Sequence, residues 1–222
     1  VGGFIGSPKM NFIDSKILDY SNQFTSNQSK LLKDLERETQ YKILMPRMLS
    51  GKMVGNFLSM ISHIKQPQHI LEIGTYTGYS AICLAQGLQK TGTLHTIEIN
   101  EELEDFALKY FKKANLEDKI HLHIGKALNI IPQINLYFDI IFIDADKKNY
   151  CKYYDLAINK LNKGGLLIID NVLWSGKVLN EPKENDQETK EIQKLNKKIL
   201  NDPKVNNILL PVRDGIMICQ LL

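Results

Sequence analysis

Two periods of hydrophobic spacing divide the chain. From residue 67 onward, short apolar runs at 69–73, 93–98, 119–124, 138–143 and 165–169 alternate with longer amphipathic stretches. Runs of this length, rich in Ile and Leu and bounded by glycine or polar residues, predict buried strands. The stretches between them, 79–89, 101–114, about 127–132 and 150–161, carry apolar residues at helical spacing. Strands and helices in alternation predict a parallel sheet covered on both faces. Before residue 67 only the helical period is present. Ile13, Ile17 and Leu18, then Leu31, Leu32 and Leu35, predict two helices parted near Thr25-Ser26-Asn27, where capping residues cluster. Pro46 ends the second. A third, over 52–64, has Met53, Phe57, Leu58 and Ile61 on one face and closes at Pro67. The tail NILLPVRDGIMICQLL predicts an antiparallel hairpin turning at Arg213-Asp214-Gly215. Before it, the charged segment 181–198 reads as a solvated loop leading to a surface helix.

Composition narrows the class. With 222 residues, the chain fits one α/β domain with a substantial core, helical over 10–66 and α/β over 67–222. A formal charge of +3 is too small to imply nucleic acid by itself. Cys83, Cys151 and Cys219 are far apart, odd in number and lack CxxC spacing, so neither a disulfide framework nor a zinc site is supported. A reducing, cytoplasmic setting is the expectation. No run reaches the ~18 apolar residues of a membrane span. The start, VGGFIGSPKMNF, lacks the pattern of a signal peptide, and Met10 is the expected natural start, with residues 1–9 extraneous.

Chemistry gathers at the ends of the predicted strands. In HILEIGTYTGYS, a strand runs into a glycine-bearing turn and then a helix, a geometry that brings backbone close to a nucleotide-like ligand. Dinucleotides, adenosyl cofactors and phosphates all use such turns. A dinucleotide fingerprint needs a middle glycine for its pyrophosphate, and Tyr76 stands there instead. A phosphate-free cofactor such as S-adenosylmethionine has no such requirement. Glu72 would suit its cationic or amine part. Glu98, ending the second strand, can accept both ribose hydroxyls; the plainer alternative is a cap on the helix near Glu101.

Asp144 and Asp146 follow the fourth strand, and Asp170-Asn171 ends the fifth. Asp144, Asp170 and Asn171 would converge as hard oxygen ligands suited to Mg²⁺, or to Ca²⁺ or Mn²⁺; helix capping is the bland reading. Lys147 lies three residues after Asp144. A divalent cation nearby disfavours an ammonium and makes the neutral amine a base. The histidines, His63, His69, His95, His121 and His123, lack ligand-pair spacing and are expected in local packing or at the surface. Trp174 is placed either as the wall of a flat substrate pocket or in the core.

Taken together, MLSGKMVGNFL, LEIGTYTGYS, TIEIN, the GKA after the third strand, DADKKNY, IIDNVLWSGKV and LPVRDGIMIC resemble the cation-dependent small-molecule O-methyltransferases. That family includes catechol O-methyltransferase and the caffeoyl-CoA O-methyltransferases. The likeness runs from about residue 45 to the carboxyl end. It implies a Rossmann-like class I methyltransferase with a seven-stranded, mostly parallel sheet, an antiparallel C-terminal hairpin strand and extra N-terminal helices. It also implies S-adenosylmethionine held at Glu72, Gly74, Tyr76, Ser80, Glu98 and Asp144, with the backbone near Val54 at its methionine end and Gly125 and Ala127 near its adenine. A metal at Asp144, Asp170 and Asn171, Lys147 as base beside Asp144, Trp174 at the substrate and a homodimer complete the implication. Two departures stand out: the catechol enzyme has histidine where Ala145 stands, and Lys126 replaces a small or acidic residue.

The expected reaction is methyl transfer to a catechol-like small molecule. One rival keeps the fold and methylates 5-hydroxyuridine in tRNA, with the lysines at 183, 190, 194, 197, 198 and 204 tracking phosphates. Acids at 181, 184, 186, 188 and 191 largely cancel them, and no aromatic residues interleave for base stacking. A nicotinamide oxidoreductase and a non-catalytic binding protein are the distant alternatives.

Overall fold

A computed structural model describes residues 14–222. Ile13, Met10 and residues 1–9 lie outside the described residues. Seven strands, β1 (His69–Ile73), β2 (Thr93–Glu98), β3 (Ile120–Ile124), β4 (Phe138–Ile143), β5 (Leu161–Asp170), β6 (Val205–Leu210) and β7 (Ile216–Leu221), form one sheet in the order β3-β2-β1-β4-β5-β7-β6. All neighbours through β5 pair in parallel, and β7 runs antiparallel between β5 and β6. The predicted sheet and hairpin are both present.

Strand periodicity decides what each face of the sheet buries. Ile70, Leu94, Ile140, Phe142 and Ile168 pack against α2 (Lys30–Lys42), α3 (Gly51–Lys65), α4 (Tyr79–Ala85) and α5 (Glu104–Lys113). Leu71, Ile73, Ile97, Ile141, Ile143, Leu167 and Ile169 face α6 (Ala127–Ile130), α7 (Tyr150–Lys160) and α8 (Gln187–Leu200). Each fully buried side chain of this size contributes about 1.5–3 kcal/mol of transfer free energy. Burial on both faces is why the strands read as continuous apolar runs rather than alternating ones.

Three expectations need correction. The helix expected over 79–89 is shorter, because Gly87 passes so close to the Ser62-His63 backbone of α3 that a Cβ there would overlap it. β5 begins four residues early, where a register shift opposite Phe138 and Ile140 admits Gly164 at φ +73. The charged segment does lead to a helix, α8, but its inner face is core: Ile192, Leu195 and Ile199 are buried. Asp186 starts it by accepting from Thr189 N at 3.0 Å and from Thr189 Oγ1 at 2.8 Å. Helix α1 (Ser15–Gln23), by contrast, has no buried residue. Lys52 ties the end of α1 and the chain just after it onto α3, donating to Asn22 O at 2.6 Å and Thr25 O at 2.9 Å. No helix among the described residues is long and apolar enough to cross a membrane.

Candidate functional site

A cleft of about 1250 Å³ opens at the carboxyl ends of β1, β2, β3, β4 and β5. In open α/β sheets this is where ligands bind, at the point where strand order reverses, here between β1 and β4. The volume exceeds the roughly 300–1,000 Å³ of a single small-molecule pocket and gives room for two ligands side by side.

One side of the cleft is made of backbone. Gly74 has φ +104, and a Cβ there would overlap the Asp144 carbonyl, so only glycine lets the first loop lie against the end of β4. Gly74 N and Thr75 N both donate to Ile97 O, at 3.0 and 3.2 Å, and Asp144 N donates to Ile73 O at 2.9 Å. Tyr76 adopts φ +50, and its N–H donates to Glu98 Oε2 at 2.7 Å. Glu98 Oε1 accepts from Ile99 N at 3.0 Å and Asn100 N at 2.9 Å, so three of its roughly four lone-pair positions are already used. The carboxylate is buried, lines the cleft and locks the first loop to the second. The helix after β2 is capped instead by Asn100, which accepts from Glu102 N. Gly125 (φ +141), Ala127 and Ser80 also line this side.

Two expected donor-site residues are not on the wall. Val54 points into the core from α3 and is buried. The chain reaches the cleft just before it, at Leu49 and Ser50. Glu72 shares the strand face of Ile70 and lies beneath the floor, at 0 % exposure. Its Oε2 accepts from Thr96 Oγ1 at 2.5 Å, while Oε1 is buried with no partner. Burial pushes its pKa up to about 8, against the hydrogen bond from Thr96, which works the other way.

The other side is made of side chains. Lys147 is buried; its Nζ donates to Asp144 Oδ1 at 3.1 Å, Ala145 O at 3.0 Å and Tyr150 Oη at 2.6 Å. Tyr150 passes the connection on to Asp170 O at 3.2 Å, linking the ends of β4 and β5. Asp170 accepts from Asn171 N at 2.7 Å, and burial, then the Asp144 charge, raises its pKa to about 7. Asn171 is held at φ +63, with its Nδ2 directed at Asp214 Oδ2 at 3.4 Å, leaving its Oδ1 for a ligand. Asp146 lies beside the site, its two oxygens taken by Tyr153 and by Asn149 Nδ2 at 2.6 Å.

This donor set fits a divalent cation. Two carboxylates and an amide oxygen are hard ligands, and a buried carboxyl pushed up by its neighbour's charge is relieved by a positive ion. Among the described residues no group of three or more His, Cys, Asp and Glu is arranged around a metal position, and a third ligand here is an amide. His95 and His123 meet on the shared face of β2 and β3, Nδ1 to Nε2 at 2.9 Å with their rings stacked, and His121 lies tilted against His95, so their contacts are with one another.

Trp174 belongs to both of its expected settings. It packs on the core beside α7 and α8 and also lines the cleft, with Lys147 Nζ 5.8 Å and Lys177 Nζ 5.5 Å from its ring. The segment 42–50 forms the rim; only its end, Met48-Leu49-Ser50, fell within a motif quoted from the sequence, and no part of it was assigned to the cleft. Leu44, Met45 and Met48 line the cleft yet are 87 %, 60 % and 57 % exposed, an apolar edge left open among the described residues. Tyr79, Tyr153, Arg47 and Arg213 were likewise not anticipated there.

A family model described as O-methyltransferase matches residues 22–222. This chain belongs to the O-methyltransferase family. The probable caffeoyl-CoA O-methyltransferase 2 of Dictyostelium discoideum is 32% identical over 212 residues, 93% of this chain and 90% of the relative. Caffeoyl-CoA O-methyltransferase 1 of Eucalyptus globulus is 35% identical over 176 residues, 75% of this chain and 72% of its own. Among solved structures, an O-methyltransferase from Bacillus cereus in complex with SAH superposes with a TM-score of 0.86 at 30% identity, covering 93% of this chain and 97% of that one. A putative O-methyltransferase from Klebsiella pneumoniae gives 0.85 at 27%, covering 93% and 96%. Along the chain, the backbone loops of the cleft follow β1, β2 and β3, and the acids and lysine follow β4 and β5.

Proposed function

We propose that the chain is an S-adenosylmethionine-dependent O-methyltransferase whose acceptor is an aromatic small molecule with two vicinal hydroxyls, and that it works with a divalent cation, Mg²⁺ first. The observation that carries this reading is the pairing across one cleft of a glycine-built loop with Asp144, Lys147, Asp170 and Asn171. S-adenosylmethionine supplies an electrophilic methyl on sulfur. Asp144, Asp170 and Asn171 would hold the cation, which when bound supplies positive charge that stabilises an acceptor oxyanion.

The rest falls to the chain's own residues. Lys147 Nζ lies at the boundary between the two sides, held by Asp144 Oδ1, Ala145 O and Tyr150 Oη. To act as base it must first give up one of these donor contacts, and its free lone pair would then take the proton of an acceptor hydroxyl as oxygen closes on the methyl carbon. Trp174 and the Leu44–Met48 rim offer flat and apolar surface to an aromatic ring. Gly74, Tyr76 and Glu98, locked together through backbone hydrogen bonds, hold the nucleoside end at a fixed distance from that ring. Such alignment is worth up to ~7–11 kcal/mol in favourable cases. Pairing of two copies through α1, which exposes Ile17, Tyr20 and Phe24, is part of the same proposal and is read by light scattering.

The test is a methyl-transfer screen over matched aromatics with vicinal, separated or single hydroxyls, followed by mass spectrometry of the product. Methylation confined to the vicinal diols supports the reading. Equal methylation of single phenols contradicts the chelated acceptor.

A further inference from the structure

Trp174 stands on an irregular strap between the end of β5 and the start of α8. The strap takes positive φ at Asn171 (+63), Trp174 (+47), Ser175 (+50) and Gly176 (+78). For the three that are not glycine this backbone is disfavoured, and it persists only where neighbouring structure holds it. One hold comes from the turn between β6 and β7: Leu173 N donates to Asp214 O at 2.8 Å, and Ser175 N donates to the Asp214 carboxylate.

The other hold comes from α8. Gln193 Nε2 donates to Val178 O and to Asn180 O, each at 3.0 Å, and Asn196 Nδ2 donates to Val172 O at 2.9 Å. Three residues apart, Gln193 and Asn196 share one face of the helix, and their amides take carbonyls on both sides of Trp174. Lys177 adds a link, its Nζ 5.5 Å from the indole ring and 3.8 Å from Asp186 Oδ2, on the residue that caps α8. The helix is a firm anchor because Ile192, Leu195 and Ile199 are buried in the core. Gln193 and Asn196 do not themselves line the cleft.

We propose that Gln193 and Asn196 are positioning residues for the acceptor, holding the strap so that the Trp174 indole stands as a fixed wall of the cleft. The inference rests on the O-methyltransferase reading, in which that wall meets the acceptor's aromatic ring, and extends it to side chains outside the cleft. An aromatic ring with two vicinal hydroxyls can present either oxygen to the methyl carbon. A wall that cannot swing favours one presentation, so the amides bear on which oxygen is methylated as well as on acceptor affinity.

Trp174 is the chain's one tryptophan, so fluorescence excited beyond the tyrosine band reports the wall alone. Emission and acrylamide quenching are compared in the whole apo-protein for wild type, Gln193→Met, which loses the donors at similar length, Gln193→Lys, which keeps a donor, and Asn196→Leu. Thermal unfolding checks folding, and Asn196→Leu carries the test if Gln193→Met does not fold. The same proteins then methylate an unsymmetrical catechol whose two monomethyl products are separated. In Gln193→Met and Asn196→Leu, emission is expected to shift to longer wavelength, quenching to rise, acceptor KM to increase about 3–10-fold and the product ratio to move towards equality. The Kd of S-adenosylhomocysteine stays as in wild type, and Gln193→Lys restores most of the loss. Folded variants that keep the wild-type KM and product ratio overturn the positioning role, whether or not their fluorescence or unfolding temperature changes, and leave methyl transfer intact. Wild type that methylates no catechol overturns the O-methyltransferase reading and the role towards its acceptor together.

Discussion

The two sides of the cleft are made of different material. The side proposed for the donor is backbone: Gly74, Tyr76 and Gly125 at positive φ, and Glu98 occupied by three N–H groups. Its shape is set by main-chain geometry, so a change there is expected to disturb the join between β1, β2 and β4 as well as any ligand. The side proposed for the acceptor is side chains from separated stretches: Leu44 and Met48 on the rim, Lys147, Asp170, Trp174 and Arg213. Changes at the rim are expected to alter what the cleft binds, and changes at Lys147 how fast it reacts.

The largest effect should come from breaking the donor side. Gly74→Ala places a Cβ on the Asp144 carbonyl at φ +104, and a loss of at least ~3 kcal/mol of stability is expected, read by denaturant unfolding, together with loss of activity. Stability equal to wild type would show that the loop can move away from β4. Next is Lys147→Ala, on the acceptor side. A fall in kcat of roughly 10²–10⁴ is expected with little change in the Kd of S-adenosylhomocysteine, because a general base acts on the reaction and not on donor binding. Unchanged turnover would remove Lys147 from the chemistry.

Glu72 sharpens the comparison from beneath. Its pKa is about 8 in the folded protein against 4.5 for the free side chain. Below pH 4.5 both states hold the proton and the contribution to stability is complete. As pH rises the unfolded chain releases its proton first, so stability is lost progressively until about pH 8 and then levels. Glu72→Gln should erase that slope, gaining on the order of 3 kcal/mol over wild type between pH 5 and pH 8.5 in the apo-protein. Parallel slopes in the two proteins would mean that the carboxyl is already ionised. The smallest effect belongs to the rim. Leu44→Ala, exposed in the free protein, should raise acceptor KM about 2–5-fold and leave both stability and S-adenosylhomocysteine affinity alone.

How much of this was legible follows the same division. Gly74, Gly78 and Glu98 lie at or just past strand ends that the apolar runs already mark, so the loops proposed to hold the donor could be found from local pattern. Asp144, Lys147, Asp170 and Asn171 were visible for the same reason. Glu72 was in the right stretch, but one residue of strand register sends it under the floor. For Val54 the expectation concerned the backbone nearby, and helix phase sends its side chain into the core. The rim could not be read because an apolar residue such as Leu44 has meaning only once its exposure is known. Arg213 was hidden by distance in the chain: the hairpin was predicted, but not that its turn would reach α3, some 160 residues earlier. The histidines of β2 and β3 met through parallel register, which spacing along one strand does not reveal.

The acid-rich wall is proposed to work with a divalent cation on a chelating acceptor. Methyl transfer to a simple catechol, followed in metal-stripped protein, then with Mg²⁺, then with excess EDTA, decides it. No product is expected without metal, with turnover on adding Mg²⁺ and its loss on chelation. Transfer that continues at the same rate through complete chelation would rule the cation out.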